Sequence, residues 1–149
     1  MKTVMRCLLV TALLLSGSRA VTAQTITFTN GSGGTFTIAS AVAGQDPASV
    51  SNGAGNFTTS TKKSDGILRI RAQLDQAMPA NTTLTLTVTY PAGTTLGPQV
   101  LGITPVDLVV NIPSASTTRT GTVSYSFTAT ASAGVLAPFT RNVTLTIGP

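Results

Sequence analysis

The sequence has no His, no Glu and no Trp, a single Cys, and four Asp against nine Lys and Arg in 149 residues. Each absence removes chemistry. Without His or Glu, Ser-His-Asp and Cys-His nucleophilic sites cannot be built, and general acid–base work would fall to the Asp, Lys and Tyr side chains alone. The acids Asp46, Asp65, Asp75 and Asp107 are scattered, with no Asp-x-Asp-x-Asp-Gly loop of the kind that collects calcium-ligating oxygens. Asp65 before Gly66 reads as a turn former and Asp75 as a solvated carboxylate. Together these absences predict a non-enzymatic chain with no cofactor and no metal.

The one Cys falls in a segment with the layout of an export signal. Lys2 and Arg6 make a positive start, Leu8 to Leu15 is apolar, and Val21-Thr22-Ala23 has the small residues that signal peptidase cuts before Gln24. The apolar run is well short of a membrane span, so residues 1–23 are expected to be a removed signal peptide and residues 24–149 a single domain without membrane insertion. Cys7 goes with the signal, and a core that folds without disulfides suits a bacterial periplasm or cell surface.

Charge shrinks in the same step. Removing Lys2, Arg6 and Arg19 leaves six cations (Lys62, Lys63, Arg69, Arg71, Arg119 and Arg141) against four Asp, a net +2. A charge this small predicts no nucleic-acid binding. Hydroxyls take over as the solubilising groups, with 25 Thr and 11 Ser among residues 24–149. Thr is β-branched and suits the outer faces of strands.

Periodicity gives the fold class. Residues 82–90 read Thr-Thr-Leu-Thr-Leu-Thr-Val-Thr-Tyr, which sets Leu84, Leu86, Val88 and Tyr90 on one face and threonines on the other. The same alternation carries Ile26 and Phe28; Phe36 and Ile38; Leu68, Ile70, Ala72 and Leu74; Val106, Leu108, Val110 and Ile112; Val123, Tyr125, Phe127 and Ala129; and Val143, Leu145 and Ile147. Residues 100–103 offer a further short strand. Asn30-Gly31-Ser32-Gly33-Gly34, Asp65-Gly66, Pro91-Ala92-Gly93 and Gly97-Pro98 supply the turns. No stretch keeps a helical period. The expectation is an all-β, antiparallel, two-sheet sandwich of seven or eight strands, with a partly open β-barrel as the alternative. Residues 40–64, rich in Ala, Gly, Ser and Asn, show no clear strand and are read either as a functional connection or as a cryptic strand pair, with Phe57 anchoring part of it.

From Asp65 to Ile147 the sequence resembles the immunoglobulin-like sandwiches that bacteria export as surface, adhesin or fibre modules. Gly121-Thr-Val-Ser-Tyr-Ser-Phe-Thr-Ala-Thr130 and Arg141-Asn-Val-Thr-Leu-Thr-Ile147 resemble their last two strands. The resemblance is one of class and implies a structural or adhesive role outside the cytoplasm. The Cys–Trp–Cys pattern of antibody domains is absent.

Three features qualify as candidate sites. Gln24 to Asn30 is a short amphipathic strand followed by a glycine-rich hinge, so Ile26 and Phe28 are candidate anchors for strand exchange between subunits; the plainer reading is a first strand turning into residues 35–39. Lys62, Lys63, Arg69 and Arg71 put four cations within ten residues, a candidate patch for sulfate, phosphate or acidic polysaccharide; the plainer reading is a solvated face that discourages edge pairing. Ser60-Thr61-Lys62-Lys63 matches the Ser-x-x-Lys spacing of serine acyl-transferases, but in a strand-rich context with no Lys-Thr-Gly it reads as chance. Sequons at Asn30, Asn56, Asn81 and Asn142 are common by chance in so Thr-rich a chain.

Two functions compete. One is an exported structural or interaction module of the cell surface or periplasm, pairing with itself or another surface protein through strand edges. The other is a polysaccharide or anionic-polymer binding module using loops 40–64 and 91–104.

Overall fold

The computed structural model describes residues 24–30, 35–38, 42 and 44–149, so the proposed signal segment and the Gly31–Gly34 hinge lie outside the described residues. Among the described residues nine strands follow in order: β1 Thr25–Asn30, β2 Val50–Thr61, β3 Leu68–Leu74, β4 Thr82–Thr89, β5 Thr94–Thr95, β6 Gln99–Val100, β7 Val106–Ile112, β8 Thr117–Ala129 and β9 Val143–Gly148. They form two open antiparallel sheets, β1-β2-β8-β4-β6 and β5-β7-β3-β9, so the architecture is a β-sandwich and the barrel alternative is set aside. After β2 every successive strand lies in the other sheet, and the pairs that carry the sheets join residues far apart in sequence. Gly66, Gly93 and Gly97 therefore mark sheet-to-sheet corners. Gly66 and Gly93 take φ of 75° and 78°, which a side chain would resist.

The core is the set of inner faces that the alternation picks out. Leu68, Ile70, Ala72 and Leu74 of β3, Leu84, Leu86 and Val88 of β4, Val123, Tyr125, Phe127 and Ala129 of β8, and Leu145 and Ile147 of β9 are all buried. Between them the threonines of β4 and β9 point outward, as period two requires. Gly121 sits in the same inner row of β8 because Phe57 and Tyr90 stack above it, ring centroids 5.9 Å apart; a Cβ there would stand 2.7 Å from Phe57 Cε1 and 2.9 Å from Tyr90 Cδ2.

Four local expectations change. The described part of residues 40–64 contains one long strand, β2, rather than a strand pair; its inner positions are Gly55, Phe57, Thr59 and Thr61, a row with a single large apolar side chain that hydropathy does not reveal. Residues 35–38 form no ladder: Phe36 and Ile38 pack on the core, but the segment is tied to β2 by the Asn52 side-chain amide donating to the Thr35 carbonyl, 2.9 Å. β1 consequently pairs with β2, not with residues 35–38; position 39 of the expected strand lies outside the described residues. Residues 100–103 contribute only the end of β6, although Leu101 is buried and its N–H donates to the Leu84 carbonyl, 2.9 Å.

The fourth change is on β7, where Val109 rather than Val110 is fully buried beside Leu108. The register explains it. Partners run Leu68 to Ile112, Ile70 to Val109, and Arg71 to Asp107, so β7 carries two extra residues against β3. Asn111, at φ 55°, absorbs one of them in the left-handed region that Asn tolerates. Each bulge shifts the alternation by one residue, which reverses the faces between them.

Candidate functional site

β1 is an edge strand whose only ladder among the described residues is with β2. It runs from Thr25 opposite Ser60 to Asn30 opposite Asn56, with an irregularity after Phe28, and so covers only the second half of its partner. Ile26 and Phe28 face inward and are half-buried against the core. β1 also borders β9, the edge strand of the other sheet, so one flank of the sandwich carries two neighbouring edges. The upper half of β2, from Val50 to Gly55, has β8 on one side and no described ladder on the other.

The four clustered cations separate into two groups. Arg69 and Arg71 share the outer face of β3 and converge on Asp107 of the adjacent β7: Arg69 Nη1 reaches Oδ2 at 3.2 Å and Arg71 Nε reaches Oδ1 at 2.9 Å. Asp107 offsets much of the positive field that a free arginine pair would present to an anion. Lys62 and Lys63 stand at the corner between β2 and β3, where the Lys62 backbone N–H donates to Asp65 Oδ2 at 2.6 Å and closes a short turn. Ser60 lies within β2 while Lys63 opens the three-residue 3-10 turn after it, so the two do not share the helical start that a Ser-x-x-Lys nucleophile needs.

All four Asp carboxylates serve structural contacts. Besides Asp65 and Asp107, Asp46 Oδ1 accepts from the Ala131 backbone N–H at 2.7 Å. Asp75 accepts from the Asn142 backbone N–H at 2.9 Å and from its side-chain amide at 2.7 Å, so it clamps the entry to β9 instead of standing free in solvent. The Asn142 backbone N–H, seconded by its side-chain amide and the charge of Arg141, holds the Asp75 carboxyl below its ordinary value despite an opposing desolvation. Among the described residues no three of His, Cys, Asp and Glu gather where they could hold a metal.

Two features escape the sequence reading. Beneath β1, Thr59 Oγ1 and Tyr90 Oη share a buried hydrogen bond of 2.6 Å, and Thr61 Oγ1 donates to the Ala115 carbonyl at 2.7 Å. Tyr125 Oη and Arg119 Nη1 are buried with no described hydrogen-bond partner, and burial pushes the Tyr125 phenol up. The second feature is a groove of about 900 Å³ at one end of the sandwich, between inner-face residues Leu84, Phe127 and Ala129 and the irregular segments 35–38 and 133–141. Phe127 has tilted ring partners on both sides, Phe36 at 6.0 Å and Phe139 at 6.2 Å. The available signal was the non-alternating Val135-Leu-Ala-Pro-Phe139, apolar residues in a stretch that no strand period accounts for.

No family model, no curated protein and no solved structure matches this chain.

Proposed function

We propose that this protein is an exported, non-enzymatic structural or interaction module of the cell surface or periplasm, and that it associates with copies of itself through its strand edges. The observation that carries the reading is β1: an edge strand with one ladder partner among the described residues, two half-buried anchors in Ile26 and Phe28, and a glycine-rich sequence behind it. An element of this kind leaves its own sheet and enters a neighbour's at little net cost, because the same ladder and the same apolar packing re-form in the new sheet. The engagement of all four carboxylates in structural contacts supports a role that does not depend on acid–base chemistry. Export rests on the signal-like first 23 residues. The anionic-polymer reading has less support, since Asp107 already occupies Arg69 and Arg71.

Light scattering with a deletion tests the association. Removing residues 24–30 should abolish high-mass species and leave a folded monomer with an open β2 edge, and a peptide of those residues should bind that monomer. A full chain that stays strictly monomeric at high concentration after long incubation would remove the reading. Mass spectrometry of the exported fraction tests the export step, for which the expected first residue is Gln24.

A further inference from the structure

The groove at the end of the sandwich has three properties that together specify an occupant. It is more apolar than polar, holding three of the five phenylalanines of the chain, Phe36, Phe127 and Phe139, with Ile38, Met78 and Leu84 beside them and threonines and Arg141 supplying the polar part. Its volume of about 900 Å³ lies within the roughly 300–1,000 Å³ range of small-molecule sites.

Next, its walls present no free strand edge. The strand residues in the wall belong to β4 and β8, which lie inside the sheet; β8 is paired on both sides, and the Leu84 carbonyl is taken by the Leu101 N–H. An inserted peptide would bring amides that these strands cannot receive in a ladder and would have to satisfy them on the irregular segments 35–38 and 133–141. A hydrocarbon chain has no such groups. The groove therefore differs in kind from the β1–β2 edge.

Third, one cation is fixed at the rim. Arg141 lies over the Phe139 ring, 5.1 Å from its centroid, while its Nε donates to the Ala77 carbonyl at 2.8 Å and its Nη1 to the Thr140 carbonyl at 2.7 Å. These contacts orient the guanidinium and leave Nη2 without a partner among the described residues. Among the described residues no carboxylate comes within salt-bridge distance of it; Asp75 acts on it through space, with its own oxygens turned to the Asn142 donors. A positioned guanidinium with an unused N–H pair favours an anion, and a carboxylate above all.

We infer that the groove binds a single-chain amphiphile with an anionic head, a fatty carboxylate, whose hydrocarbon tail lies along Phe36, Phe127 and Phe139 and whose carboxylate meets Arg141. The site is independent of strand exchange, so either reading can fail alone.

Calorimetry and native mass spectrometry on the purified protein test it, with dodecanoate below its micelle concentration and dodecanol as the neutral probe. Dodecanoate should bind one per chain and more tightly than dodecanol. Arg141→Gln should weaken dodecanoate by roughly tenfold or more while leaving dodecanol unchanged, as loss of one charge-assisted contact requires. Ala133→Trp, which fills the groove from its rim, should abolish both, with circular dichroism confirming the fold. Failure of both probes to bind the folded protein would overturn the assignment, as would equal binding of the two with no response to Arg141→Gln. An Ala133→Trp variant that turns a dimer into monomers would overturn it too, since the occupant would then be a second copy.

Discussion

The two tyrosines occupy the same core and differ in one respect, whether the hydroxyl finds a partner. Tyr90 Oη is 2.6 Å from Thr59 Oγ1, so Tyr90→Phe deletes a buried hydrogen bond and leaves Thr59 with only a long contact, 3.4 Å, to the Arg119 carbonyl. A loss of about 1–2 kcal/mol is expected in denaturant titration. Tyr125→Phe removes a buried hydroxyl with no described partner and should be neutral or stabilising by about 1 kcal/mol. Its phenol is raised above 10.0, so the neutral form contributes stability that is fully present below pH 10 and is lost as the pH climbs through the folded value. Tyr125→Phe should flatten that alkaline limb. Asp75 has the opposite sign: its carboxyl is depressed below 3.8, so its contribution is present above that value and disappears as the pH falls through the folded one. Wild type should exceed Asp75→Asn in melting temperature at pH 7, and the two should converge as acid protonates the carboxyl; a gap that persists at low pH would refute the assignment.

At the scale of elements, the faces of β4 are unambiguous. Leu86 is fully buried between the sheets, and Leu86→Ala should cost roughly 2–5 kcal/mol, while Thr87→Ala on the outer face should cost far less. The reverse order in denaturant titration would invert the strand. β7 obeys a different rule because of its bulges. Intrinsic strand preference would favour Val over Asn at position 111, yet the φ of 55° there forces a β-branched side chain into a strained region. Asn111→Val should therefore destabilise by roughly 1–2 kcal/mol, read as a lowered denaturant midpoint.

For the whole molecule, the two edge strands on one flank are not equivalent. β9 places Leu145 and Ile147 in the core, and deleting residues 143–149 should leave a chain that does not fold cooperatively. β1 contributes only half-buried Ile26 and Phe28, so deleting residues 24–30 should leave a cooperative, weakened domain. Thermal unfolding by calorimetry distinguishes the two truncations. Equal loss of the transition in both would make β1 an integral part of the core and weaken its case as an exchangeable strand.

Composition and period two were enough to specify an all-β antiparallel fold and to choose the buried faces of β3, β4, β8 and β9, because a strand buried on one side must alternate wherever its inner row is apolar; the choice of sandwich over barrel came from the sheet topology. That condition fails for β2, whose inner row is Gly, Phe and two Thr, and for β7, whose bulges reset the alternation; there, pairing with β8 and β3 set the outcome. Tertiary structure alone brought Asp107 to Arg69 and Arg71 and Asp75 to Asn142. It also assembled the groove, whose walls come from residues 35–38, Pro47, Met78, Leu84, the end of β8 and residues 133–141. Such partners lie tens of residues apart on strands that alternate between sheets, and nothing in a local pattern records which corners of the chain will meet.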